Sequence, residues 1–131
     1  MEQSYLIDTN VIIDYFGDKL PQEAKVFLNY VEPIVSAVTK IEVLGWLNAT
    51  REQLYPLNAF MDLASILPID ETVISKTIFI RQSKKIALGD AIIAATALTN
   101  GLILISRNTK DFENIAGLRV VNPYEFKNTS A

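Results

Sequence analysis

The chain has 131 residues, of which 50% are hydrophobic and 21% charged, so it holds enough apolar material for one folded core and reads as globular, not disordered. It contains no histidine and no cysteine, which excludes disulfides, thiolate nucleophiles, Cys or His zinc sites and every Ser-His-Asp arrangement. With 12 basic against 15 acidic residues the net charge is -3, which argues against a general nucleic-acid coat protein.

Taken in chain order, Ser4 to Ile7 is a short strand, and "NVIIDYF" shifts to helical spacing with Thr9 or Asn10 available as its cap. "PIVSA", Pro33 to Ala37, is a second strand, followed by a helix from about Thr39 to Ala49. Gln53 to Ala64 carries apolar residues at helical spacing despite Pro56. "SILPID", Ser65 to Asp70, is a third strand with an edge-tolerant Pro68. Glu71 to about Lys85 and Asp90 to Thr99 are helices. "LILIS", Leu102 to Ser106, is a continuous apolar strand, and "LRVV", Leu118 to Val121, closes the series. Strands alternating with helices predict the α/β class, with a central parallel sheet covered by helices. Residues Lys127 to Ala131 read as a frayed tail of one domain spanning 1–131. No membrane is implied: the most apolar stretch, Ala91 to Ile105, is short and interrupted by Thr96, Thr99, Asn100 and Gly101. The N-terminus has no basic region of the signal-peptide kind, and the cytoplasm is the expected location.

Four acids stand at the places where open parallel sheets build ligand sites. Asp8 follows the first strand, Glu42 lies in an apolar helix after the second, Asp90 opens the apolar helix "ALGDAIIAATAL", and Asp111 lies in "SRNTKDF" after the strand 102–106. Each has an ordinary structural role available: Asp8 and Asp90 as helix caps or dipole partners, Glu42 as a surface residue, Asp111 as the third residue after a capping Asn108. Together they form a repulsive cluster at one sheet edge, and a divalent cation is the simple solution. Oxygen ligands select a hard cation, Mg²⁺ or Mn²⁺. Asp14 gains no such partner and reads as a surface residue of the first helix.

"LIDTNVII", Glu42 in its helix, "LGDAIIAATAL" and "ISRNTKDF" occur in an order that resembles the PIN-domain family, specifically VapC-type toxins of toxin-antitoxin pairs. The resemblance spans Tyr5 to about Tyr124. It implies a three-layer αβα PIN-like fold and a Mg²⁺- or Mn²⁺-dependent endoribonuclease that hydrolyses RNA phosphodiesters, the cation activating water for in-line attack. By position, Asp8 and Asp90 match the principal metal-binding acids, Glu42 the acid completing the cluster, and Asp111 the acid of the last motif, where some members carry an acid in place of Asn108. Thr9 matches a polar residue that positions water or ligand. The resemblance also implies a homodimer and a VapB-like antitoxin. Val43, Leu44, Trp46 and Leu47, with Leu54, Leu57, Phe60 and Met61, offer an apolar pair of helices for such an interface. For RNA contact the nominated residues are Arg81, Lys84 and Lys85 before the Asp90 motif, and Arg107 and Lys110 beside Asp111.

Two other classes are weighed against this reading. A phosphotransfer domain with Asp8 as nucleophile would want paired early acids or a second aspartate two residues on, where this chain has Asn10. A non-catalytic RNA- or protein-binding module would have no physical reason to keep four mutually repelling acids.

Overall fold

A computed structural model describes residues 3–126, so the expected tail at 127–131 lies outside the described residues. Its elements run β1 (Tyr5–Ile7), α1 (Thr9–Phe16), α2 (Gln22–Asn29), β2 (Ile34–Ser36), α3 (Ala37–Leu44), α4 (Arg51–Leu63), β3 (Ser65–Leu67), α5 (Glu71–Ser83), α6 (Leu88–Thr99), β4 (Ile103–Ile105), α7 (Thr109–Phe112) and β5 (Val120–Val121), ending in a 3₁₀ turn at Pro123–Glu125. All ladders are parallel: β1 pairs with β4, β4 with β5, and β2 with β3. The two hydrogen-bonded pieces meet where β1 lies beside β2, which gives the central sheet that alternating strands and helices predict.

Strand alternation sends neighbouring residues to opposite faces, and here it divides the core in two. Leu6 and Leu104 pack with Val73, Ile80, Phe112 and the alanine-rich side of α6. Ile7 and Ile105 pack with Val11, Ile12, Val35, Val43, Leu57 and Met61, from α1, β2, α3 and α4. Helices therefore cover both faces, and β4, the middle strand of its ladder and buried at every residue, is apolar throughout. Helix α6 is apolar nearly all round for the same reason: Ala91, Ile93, Ala94, Ala95, Thr96 and Ala97 are all buried. Among the described residues, no helix is long and apolar enough to cross a membrane.

Several expectations change. The cap of α1 is Asp8 itself, whose Oδ1 accepts from the Thr9 backbone N–H, so Thr9 and Asn10 already lie inside the helix. Helix α2 has no counterpart in the sequence reading. Helix α3 ends at Leu44, short of the expected Ala49, because the chain turns at Gly45, leaving Trp46 and Leu47 outside it. Helix α4 starts earlier than expected through a Thr50–Gln53 capping box and carries Pro56 in its interior. Strand β3 stops at Leu67, before Pro68, at the margin of its ladder. Of the nominated interface residues, Val43, Leu57 and Met61 are core and unavailable, whereas Leu47 is 82% exposed. Asp14 is likewise no surface residue, being 7% exposed.

Candidate active site

Parallel strands deliver the residues that follow them to a common edge. Asp8 follows β1, Ser106 follows β4, and α3 begins directly after β2. Helix α6 leads into β4 and so runs counter to the strands, which brings its first turn, with Asp90, back to the same edge.

Asp8 is the most constrained acid, at 3% exposure. Its Oδ1 accepts from the Thr9 N–H at 2.8 Å, and its Oδ2 accepts from the Ser106 hydroxyl at 2.8 Å. Ser106 Oγ in turn accepts the Asn108 N–H at 3.0 Å. Burial pushes the Asp8 carboxyl up to about 6; the Ser106 hydrogen bond opposes this, and the charges of Asp90 and Glu42 add to it. Asp90, the third residue of α6, also lies above the ordinary carboxylate range, first from burial, then from the charges of Asp111 and Glu42. A helix N-terminus should favour its ionised form, so the neighbouring acids and the loss of water outweigh the dipole. Asp8 and Asp90 thus each feel the charge of neighbouring acids, as placement at one edge requires.

Glu42 sits in the second turn of α3. Its Oε1 accepts from the Thr9 hydroxyl at 2.6 Å, and its Oε2 lies against Gly89, where a Cβ would come within 2.7 Å. Asp111, in the first turn of α7, is exposed and shares an open groove with Asp90, Arg81 and Lys85. Asn108 stands at the cap position of α7, but its side chain makes no capping hydrogen bond.

The polar residues nominated for substrate divide into two groups. Arg81 and Lys85 line the groove beside the acids. Lys84 does not reach into it: its Nζ donates to the backbone carbonyls of Asp111 at 3.0 Å and Glu113 at 2.7 Å, tying α7 to the end of α5. Arg107 donates from Nη1 to Asp14 at 2.9 Å and stacks over Tyr124. Thr9 is buried and bonded to Glu42, and Lys110 is exposed. Sequence reasoning missed Ser106 and Thr39, both at 0% exposure beside the acids. A hydroxyl closing the apolar run "LILIS" was the one available signal for the first.

Among the described residues, no three acids stand close enough to form a ready-made chelate. The donor set still suits a hard divalent cation. Every side-chain donor is an oxygen, Asp8 is raised by the charges of Asp90 and Glu42 and Asp90 by those of Asp111 and Glu42, and the ion pairs found among the described residues involve Asp14 and Asp18 and none of these acids.

The PIN domain family model matches residues 5–118. The chain is 31% identical over 126 residues to Ribonuclease VapC1 of Methanocaldococcus jannaschii, covering 91% of this chain and 88% of that protein. It is 27% identical over 124 residues to the tRNA(fMet)-specific endonuclease VapC of Shigella flexneri, covering 88% and 94%. It also resembles a chain in a toxin-antitoxin complex from Klebsiella pneumoniae, with 38% identity and a TM-score of 0.77 over 94% of this chain and 100% of that one.

Proposed function

The chain belongs to the PIN-domain family, and on that premise we propose that it is an endoribonuclease, the toxin of a toxin-antitoxin pair, acting on RNA in the cytoplasm. The observation that carries this reading is that the charges of Asp90 and Glu42 bear on buried Asp8, and those of Asp111 and Glu42 on Asp90. The relatives' ribonuclease activity and the toxin-antitoxin complex support it.

In this proposal Asp8, Glu42, Asp90 and Asp111 hold a divalent cation, Mg²⁺ or Mn²⁺. Bound there, such an ion supplies Lewis-acid polarisation of a phosphoryl oxygen and a lowered pKa for water. The protein's own contribution is preorganisation. Asp8 is fixed by the Thr9 N–H and the Ser106 hydroxyl, so its carboxylate needs no reorientation during the reaction. Asp90 is held on the rigid first turn of α6, and Asp111 on a segment that Lys84 anchors from behind. Purified protein should cleave RNA in Mg²⁺, fall silent in EDTA and recover when Mg²⁺ is restored; persistent cleavage in EDTA would contradict the proposal.

Arg81 and Lys85 are assigned to the RNA backbone because they flank Asp90 and Asp111 in an open groove. Replacing both by alanine is expected to raise KM about tenfold and flatten the salt dependence, with kcat within about twofold of the parent. Steady-state cleavage at two ionic strengths measures this, and an unchanged KM would reassign them to ordinary surface.

A VapB-like antitoxin is the proposed partner. A second groove, lined by Ile13, Phe16, Trp46 and Pro56, offers an apolar floor with Lys19 and Glu52 beside it. Trp46 is the sole tryptophan and 39% exposed, so saturating antitoxin should shift its fluorescence to shorter wavelength. An emission spectrum unchanged in the complex would place the antitoxin elsewhere. We also propose a homodimer; Ile74, Ile78 and Phe79, exposed along one side of α5, supply apolar surface for it, and sedimentation equilibrium is the direct measurement.

A further inference from the structure

Glu42 is the acid with the least support from its own helix. It is exposed, in the second turn of α3, on a long side chain whose free rotamers would scatter its carboxylate. Three residues from three elements restrict it. Thr9 Oγ1, in the first turn of α1, donates to Oε1 at 2.6 Å. Thr39 Oγ1, buried at 0% exposure one turn earlier on α3, lies 3.1 Å from Thr9 Oγ1. A hydroxyl has one proton and an ionised carboxylate can only accept, so Thr39 donates to Thr9 while Thr9 donates to Glu42. On the other side, Oε2 occupies the space that a Cβ at position 89 would need, one residue before Asp90.

We infer that Thr9, Thr39 and Gly89 form a seat that fixes the Glu42 carboxylate beside the first turn of α6, so that Thr9 is a positioning residue acting through Glu42 and not a contact for RNA. The inference rests on the proposed cation site but is separable from it, because the seat exists in the metal-free chain. Gly89 has an independent signature. Its φ is not in the left-handed region and it lies inside a helix, where glycine is the poorer choice and alanine the better. The three nearest atoms that a Cβ at position 89 would meet all belong to the Glu42 carboxylate.

The test uses Thr9→Val, Thr9→Ser and Gly89→Ala, alone and in a Glu42→Ala background, with three readouts. These are thermal melting without metal, Mn²⁺ binding by electron paramagnetic resonance, and kcat against KM on RNA. Gly89→Ala should melt no lower than the parent yet bind Mn²⁺ about tenfold more weakly, a combination that a merely structural glycine would not produce. Thr9→Val should lower the melting temperature and weaken Mn²⁺ binding, with reduced kcat and unchanged KM, and Thr9→Ser should restore all three. In the Glu42→Ala background the effect of Thr9→Val should largely vanish. The inference is overturned if Gly89→Ala binds Mn²⁺ as the parent does, if Thr9→Val acts on KM alone, or if its effects persist undiminished without Glu42. A parent protein that neither binds Mn²⁺ nor cuts RNA would defeat the proposed function; the metal-free melting cycle between Thr9 and Glu42 would still decide the seat.

Discussion

Asp8→Asn is expected to reduce RNA cleavage by about 10³-fold or more while making the metal-free protein more stable at neutral pH. The two effects have one origin. The Asp8 carboxyl is raised from 3.8 to about 6 in the fold, chiefly by burial, with Asp90 and Glu42 adding to it. A folded-state pKa above the unfolded value means that the native protein binds the proton more tightly. Stability therefore falls as pH rises from about 4 through 6, where the folded state alone remains protonated and then ionises. Above pH 6 the penalty levels off at about 3 kcal/mol, from roughly 1.4 kcal/mol for each tenfold change in proton affinity. Asparagine keeps the shape without the charge. The variant should gain about 2–3 kcal/mol over the parent at pH 7.5 and nothing below pH 4, as urea denaturation at both values would show. A variant less stable than its parent at pH 7.5 would mean that Asp8 is structural first, and the strain of an uncompensated buried charge would lose its functional explanation.

Asp14→Ala should cost about 2–3 kcal/mol and lower activity without removing any of the four acids. Asp14 is 7% exposed on α1 and accepts from Tyr124 Oη at 2.5 Å and Arg107 Nη1 at 2.9 Å. Burial, then the Asp14 hydrogen bond, holds the Tyr124 hydroxyl well above its usual pKa, as expected of a phenol donating to a carboxylate in a half-buried place. The Arg107 side chain is 47% exposed, so solvent screens its share and most of the effect belongs to Tyr124. Together they fasten the Pro123–Glu125 turn, and the residue after Ser106, to α1. Because Ser106 holds Asp8, loosening this joint should also blur the acid's position. Urea denaturation with an unchanged slope measures the first effect and kcat the second; a loss below about 0.5 kcal/mol would show the contact to be incidental.

What could be read from the sequence follows the range of the interactions. Strands β1 and β4 are continuous apolar runs, and α6 is apolar all round, so their burial was visible in the residues themselves. Asp8, Asp90 and Asp111 were visible because each follows a strand or lies in the first turn of a helix, and Glu42 because it is the one acid in the apolar helix α3. Helix α2 was not, since "QEAKVFLN" is short, follows Pro21 and buries only Ala24 fully. The end of α3 was missed because apolar residues continue through Trp46 and Leu47, while Gly45 turns the chain without any break in that pattern. Asp14 read as a surface acid because no partner lies within a helical turn; Arg107 and Tyr124 are 93 and 110 residues away. Ser106, 98 residues from Asp8, and Thr39, 30 from Thr9, were hidden for the same reason. Side-chain pairs across a parallel sheet edge leave no local periodicity to read.

Asp8, Glu42, Asp90 and Asp111 are proposed to act as one unit on RNA, and single-turnover cleavage of one RNA in Mg²⁺ by the parent, Asp8→Asn, Asp90→Asn and the Asp8→Asn/Asp90→Asn double variant decides whether they do. If they form one site, each single variant should lose nearly all cleavage and the double variant should be scarcely slower than the slower single one. Cleavage at the parental rate in either aspartate variant, or losses that simply multiply in the double variant, would contradict it.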